Sequence, residues 1–186
     1  EEMSLLTRLV GAVQWLHQPH QGASVPVALP LTELWALGLS GDRPLLAVFL
    51  ARAESALLPL AVHFAAWQRA AGLPVELALV ALEETEGPVY AAAEELLAAS
   101  SLRDRQGVAL LHRGRLTSRQ NALLHAAASL SLDNRLGSAE AQLDVLRQTL
   151  TPTAMAPLPP APPPASPDHD LLFPNGYGGF LPEGGY

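Results

Sequence analysis

Four short strand-like stretches, each followed by a stretch with helix signals, govern what this chain can fold into. Leu45–Leu50 is a continuous apolar run after the turn Ser40-Gly41-Asp42-Arg43-Pro44. Residues 54–71 then read as a helix, with Gly72 and Pro74 as stop signals and Pro59 close enough to its start to be tolerated or to kink it. Val75–Leu82 reads as a second strand and Pro88–Ala99 as a second helix, with Pro88 suited to a first-turn position. Val108–Leu111, after Gly107, makes a third strand, and Thr117–Ala126 a third helix beginning at a Thr/Ser cap. Ser129–Leu132 and Ser138–Gln148 repeat the pattern with a short strand and a helix capped by Ser138. Apolar strands alternating with helices imply parallel βαβ units. The expected fold class is therefore α/β: a small, mostly parallel sheet with flanking helices over residues 32–149.

The remaining segments frame that unit. Leu5, Leu6, Leu9, Val13 and Leu16 lie near helical spacing, so residues 1–18 predict an N-terminal amphipathic helix that Pro19 closes. Residues 19–31 hold Pro19, Pro26 and Pro30 and predict an extended connection, followed by a helical turn over Thr32–Leu37 with Thr32 as its cap. Residues 150–170 read as a proline-rich linker, with eight prolines between 151 and 167; such a composition gives a stiff, extended spacer. The glycine-aromatic tail over 171–186 then predicts the first strand or hairpin of a β-sandwich, because glycine permits turns and aromatics favour a half-buried pleat. The expectation is a segment of a larger protein in which a further domain opens at the tail.

Composition excludes several functions. The chain has no cysteine, so disulfides and thiolate metal sites are out. A net charge of −7 argues against non-specific nucleic-acid binding, which needs a basic face. All eleven basic residues are arginine, which reflects codon bias better than eleven anion sites. No apolar run is long enough to span a bilayer, and the acidic start lacks the basic region of a secretory signal. At 186 residues and 49% hydrophobic content, with few aromatics, the chain can build one core of ordinary size from helices packed through small side chains.

Three groups of residues are candidates for chemistry. The Gly38–Pro44 loop could shape a ligand site, yet a phosphate-cradling loop should follow a strand and open a helix, whereas this one precedes a strand. It also lacks the Walker lysine and the GxGxxG spacing, so a turn relaxed by Gly41 and tied by Asp42 is the favoured reading. Glu83, Glu84 and Glu86 follow the second strand at the edge where open α/β sheets bind ligands. Two of them could serve as an acid/base pair, but favourable charge at the next helix's N-terminus explains them equally well. The histidines His17, His20, His63, His112, His125 and His169 form no HExxH or comparable ligand set. His63, beside Phe64 and Trp67, suggests a role at the edge of the core. No G-x-S-x-G elbow exists, and no cofactor site is expected in this segment.

Two widely separated stretches resemble one family. Leu34-Trp35-Ala36-Leu37-Gly38-Leu39-Ser40-Gly41-Asp42-Arg43-Pro44-Leu45-Leu46 is similar to the L-W-x-x-G-I-S-G-D-x-P-I stretch of cyclic β-1,2-glucan synthases. Those bacterial proteins carry a phosphorylase module of glycoside hydrolase family 94, formerly glycosyltransferase family 36. Asn175-Gly176-Tyr177-Gly178-Gly179-Phe180-Leu181-Pro182-Glu183-Gly184 resembles the family's N-G-L-G-G-F-x-x-D-G, which opens its β-sandwich. Between them, Trp67 and Gly72-Leu73-Pro74-Val75-Glu76-Leu77 match a helix with a tryptophan near its end and a G-L-x-V-D-L strand. Leu132-Asp133-Asn134-Arg135-Leu136-Gly137-Ser138-Ala139-Glu140-Ala141-Gln142-Leu143 echoes L-D-x-x-x-G-S-L-x-x-Q-L. The chain departs from the pattern at Glu83-Glu84, where the family has N-E, and at Glu183-Gly184-Gly185-Tyr186, where it has D-G-R-E-Y.

The resemblance implies a parent enzyme that handles β-glucans: a membrane-embedded transferase extends the glucan from UDP-glucose, and a phosphorylase module trims it with an acid on an (α/α)6 barrel. That barrel would lie beyond Tyr186, so the chain is expected to be a non-catalytic connecting region on the cytoplasmic side of an inner-membrane protein. Its partners would be the adjoining β-sandwich and helical barrel of the same polypeptide and the parent's β-glucan, with no nucleic acid and no membrane contact required. The alternative is a binding module in which Ser40, Gly41 and Asp42 contact glucan or phosphate, with Asn175, Tyr177 and Phe180 as further carbohydrate or interdomain contacts. A third reading is a small enzyme using the Glu83–Glu86 carboxylates.

Overall fold

A computed structural model describes residues 2–15 and 32–149. In chain order the elements are helix α1 (Glu2–Trp15), α2 (Thr32–Trp35), strand β1 (Leu45–Leu50), α3 (Leu57–Ala70), β2 (Glu76–Ala81), α4 (Pro88–Ala99), β3 (Val108–His112), α5 (Ser118–Ala127), β4 (Leu130–Asp133) and α6 (Ala139–Thr149). The four strands form one parallel sheet in the order β3-β2-β1-β4. The alternation of apolar runs and helices thus produces the α/β fold it implies. The predicted extended connection 19–31, the proline-rich linker and the tail 171–186 lie outside the described residues. Residues Glu1–Leu150 form one compact unit, so α1 belongs with the α/β layers instead of standing apart.

Every residue of β1 and β2 is buried, which is why Leu45–Leu50 and Leu77–Ala81 are apolar throughout and do not alternate; Glu76, first in β2, is the buried exception. Leu46, Val48 and Leu50 of β1, with Leu77 and Leu79 of β2, join α1, α3, α4 and α6 in the larger core. Leu45, Ala47 and Phe49 face the other way, toward α2 and α5. On that second face the register aligns Ala109, Ala78, Ala47 and Ser131 across all four strands. This row of small side chains leaves room for Leu123 and Leu124 of α5, which crosses from one edge strand to the other.

The helix ends follow the local signals. Pro59 occupies the third position of α3, where its missing N–H has no intrahelical carbonyl to serve, so the helix tolerates it. Thr117 and Gln120 make a reciprocal capping box at the start of α5, at 3.1 and 3.0 Å. Helix α1 is held mainly by Leu6, Leu9 and Val13, all buried. Its Arg8–Asp144 ion pair to α6, 2.6 Å long but with side chains 35% and 57% exposed, contributes at most about 1 kcal/mol. Among the described residues no helix is long and apolar enough to cross a membrane.

Candidate functional site

The loops leaving β1, β2 and β4 lead to helices on the larger-core face, while the loop leaving β3 leads to α5 on the other. Where these paths part, at the carboxyl ends of the strands, a cleft of about 610 Å³ opens. Open α/β sheets place ligands at this edge, and the volume falls in the range usual for ligand sites, about 300–1,000 Å³.

The ends of three strands and one helix supply its charged and amide groups. Glu84 follows β2, Arg113 follows β3, Asp133 and Arg135 close β4, and Asn121 and His125 project from α5. The β2 and β3 loops approach so closely that a Cβ on Gly114 would lie 1.9 Å from the Glu84 carbonyl oxygen. Only glycine allows that passage. Arg113 stands 3.6 Å from the Glu84 carboxylate, and both side chains are well exposed, so the pair is weak. Arg135 is more firmly set: its Nε lies 3.0 Å from both carboxylate oxygens of Asp133, and its Nη2 lies 2.6 Å from Oδ2. Burial alone would raise the Asp133 carboxyl; the Arg135 hydrogen bonds, with the charges of Arg135 and His125, outweigh it and hold the carboxyl below its ordinary range.

The imidazole of His125 stacks on Phe49, with ring centroids 4.3 Å apart and planes 8° from parallel. Burial lowers its pKa, opposed in part by the charge of Asp133. Beneath these groups Asn134 ties β4 to the end of β1. Its Oδ1 accepts the Ala51 N–H at 2.8 Å and its Nδ2 donates to the Arg52 carbonyl at 3.0 Å. Asn134 is buried, so the cross-link fixes the backbone from which Asp133 and Arg135 project.

The loop Ser40-Gly41-Asp42 lies at the opposite, amino edge of β1. The Ser40 and Gly41 N–H groups donate to the two carboxylate oxygens of Glu76, at 2.7 and 2.9 Å. Glu76 is only 2% exposed, so this backbone concavity already holds an anion of the chain's own. Asp42 is exposed and donates its N–H to the Ser40 hydroxyl at 3.1 Å. Asn175, Tyr177 and Phe180 lie outside the described residues.

The three glutamates after β2 divide. Glu83 accepts the N–H groups of Val89 and Tyr90 at the start of α4, at 3.2 and 3.3 Å, the charge-at-helix-N-terminus role. Glu84 lines the cleft, and Glu86 is exposed. His63, expected at the edge of the core, is exposed beside a groove between α3 and α4, because the buried stripe of α3 runs through Val62, Phe64 and Ala65. His112 is buried edge-on to Tyr90, with ring centroids 6.0 Å apart. Among the described residues no three His, Asp or Glu side chains group as metal ligands. His17, His20 and His169 are outside the described residues.

Sequence reasoning applied the carboxyl-edge rule to Glu83–Glu86 alone. The same rule applied to Arg113 and to Asp133–Arg135 would have found the cleft; the stacking of His125 on Phe49 left no sequence signal. No protein-family model and no curated protein matches the chain.

Proposed function

We propose that this chain is the α/β connecting region of a multidomain carbohydrate-active enzyme acting on β-glucans, of the cyclic β-1,2-glucan synthase type. One observation carries the reading. Two of the stretches that resemble that family meet in space: Ser40 and Gly41, from Leu34–Leu46, donate to Glu76, from Gly72–Leu77. The family pattern has an aspartate where this chain has Glu76, so a carboxylate stands at that position in both. Leu132, from Leu132–Leu143, pairs with Val48 on β1, the strand that Leu34–Leu46 enters. Contact between these segments is what a shared fold requires.

In this reading the motif residues build the frame. Leu34 and Leu39 are buried in the second core, Glu76 holds the loop before β1, and Asn134 holds the loop after it. The region is a rigid block that positions a β-sandwich and catalytic barrel on the cytoplasmic side of a bacterial membrane protein. The test is made on the polypeptide that carries the chain. Incubated with β-1,2-glucan and inorganic phosphate, it should release glucose 1-phosphate. No sugar phosphate from β-glucans of any linkage would overturn the proposal.

A further inference from the structure

We infer that the carboxyl-edge cleft is a binding site for a neutral oligosaccharide. Charge is the first reason. Its two arginines are each opposed by a carboxylate, Arg113 by Glu84 and Arg135 by Asp133. The formal charges of these four groups cancel, and lowering of the His125 pKa by burial favours the neutral imidazole. A phosphate or carboxylate ligand at Arg135 would have to displace Asp133 from a guanidinium that already holds it through three contacts, and one at Arg113 would lie against the Glu84 carboxylate.

Hydrogen-bonding capacity is the second reason. A guanidinium–carboxylate pair offers donors and acceptors side by side in fixed directions, and the Asn121 amide adds one acceptor and two donors. A hydroxyl donates and accepts at once, so a polyhydroxylated ligand can meet both members of such a pair without altering charge. Apolar surface is the third. Phe49, Leu82 and Leu116 line the same cleft, as does His125, half-buried and stacked on Phe49. This gives a flat ring and apolar neighbours for the C–H face of a pyranose, beside the polar groups that would meet its hydroxyls. Asn134 and the Thr117–Gln120 capping box fix the two sides of the cleft in advance, which limits the ordering cost of binding.

The cleft is independent of the proposed function; only the choice of a β-1,2-linked glucan as first ligand rests on that reading. The test titrates the 186-residue chain calorimetrically with three probes: a β-1,2-glucan oligosaccharide, an α-1,4-glucan oligosaccharide and inorganic phosphate. At least one oligosaccharide should bind with phosphate silent, and Asn121→Ala, at an exposed position, should weaken binding about tenfold, the effect expected for one lost hydrogen bond. His125→Ala should weaken it comparably, with circular dichroism confirming that both variants keep the fold. Binding of the α-linked probe alone supports the cleft and counts against the β-glucan reading. The inference is overturned if phosphate binds and sugars do not, if neither sugar binds, or if Asn121→Ala leaves sugar affinity unchanged.

Discussion

Single side chains in this domain divide into those that hold backbone and those that are free to meet something else. Asn134 belongs to the first kind: Asn134→Ala would leave the Ala51 N–H and the Arg52 carbonyl without their partner. Both groups belong to exposed residues that water can reach, so the loss is that of the hydrogen bonds themselves, about 0.5–1.5 kcal/mol each, read by urea unfolding. Gly114→Ala should cost about 1–3 kcal/mol by overpacking, because its Cβ would meet backbone, which yields less readily than a side chain. His125 belongs to the second kind. Its folded pKa is depressed by burial, with Asp133, itself engaged by Arg135, opposing the shift. The sign follows: the folded state binds this proton less readily than the unfolded chain. Stability from His125 is therefore complete above the unfolded value of about 6.5 and declines as pH falls below it. An NMR titration should place the His125 midpoint under that value, and Phe49→Ala should move it upward by uncovering the ring. Asp133 adds a second loss at lower pH, beginning near the unfolded carboxylate value of about 3.9 and continuing through its depressed folded value.

At the scale of elements, the strands were the most legible part of the sequence and the cleft the least. Leu45–Leu50 is apolar on both faces, and the strand occupies those residues; the second strand, expected over Val75–Leu82, runs Glu76–Ala81. Burial on two faces keeps such a run apolar, with Glu76 the exception, paired with the Ser40 and Gly41 amides. Thr117 and Pro88 announced the starts of α5 and α4 through local chemistry, and both helices begin as those residues indicate. The division of labour among Glu83, Glu84 and Glu86 was not legible, since only the path of the chain into α4 decides which carboxylate reaches the Val89 and Tyr90 amides. Nor could sequence bring His125 to Phe49, which depends on α5 crossing the row Ala109, Ala78, Ala47 and Ser131. Thr117→Ala removes one half of the capping box and should cost about 1 kcal/mol, read as a lower urea midpoint with an unchanged slope. If the α5 start helps shape the cleft, the same variant also weakens oligosaccharide binding.

In the whole molecule, the two edges of one parallel sheet have different tasks. The amino edge carries the family-like loop Ser40-Gly41-Asp42, whose Ser40 and Gly41 amides are engaged by the buried Glu76 carboxylate; it is frame. The carboxyl edge carries Glu84, Arg113, Asn121, His125, Asp133 and Arg135 around open space; it is where a ligand fits. The most direct test is a backbone amide shift map of the 186-residue chain titrated with the oligosaccharide that binds it. The account predicts shifts concentrated at Asn121, His125, Asp133 and Arg135, with Ser40, Gly41 and Asp42 unmoved. Shifts concentrated at Ser40–Asp42 with the carboxyl edge silent would contradict it.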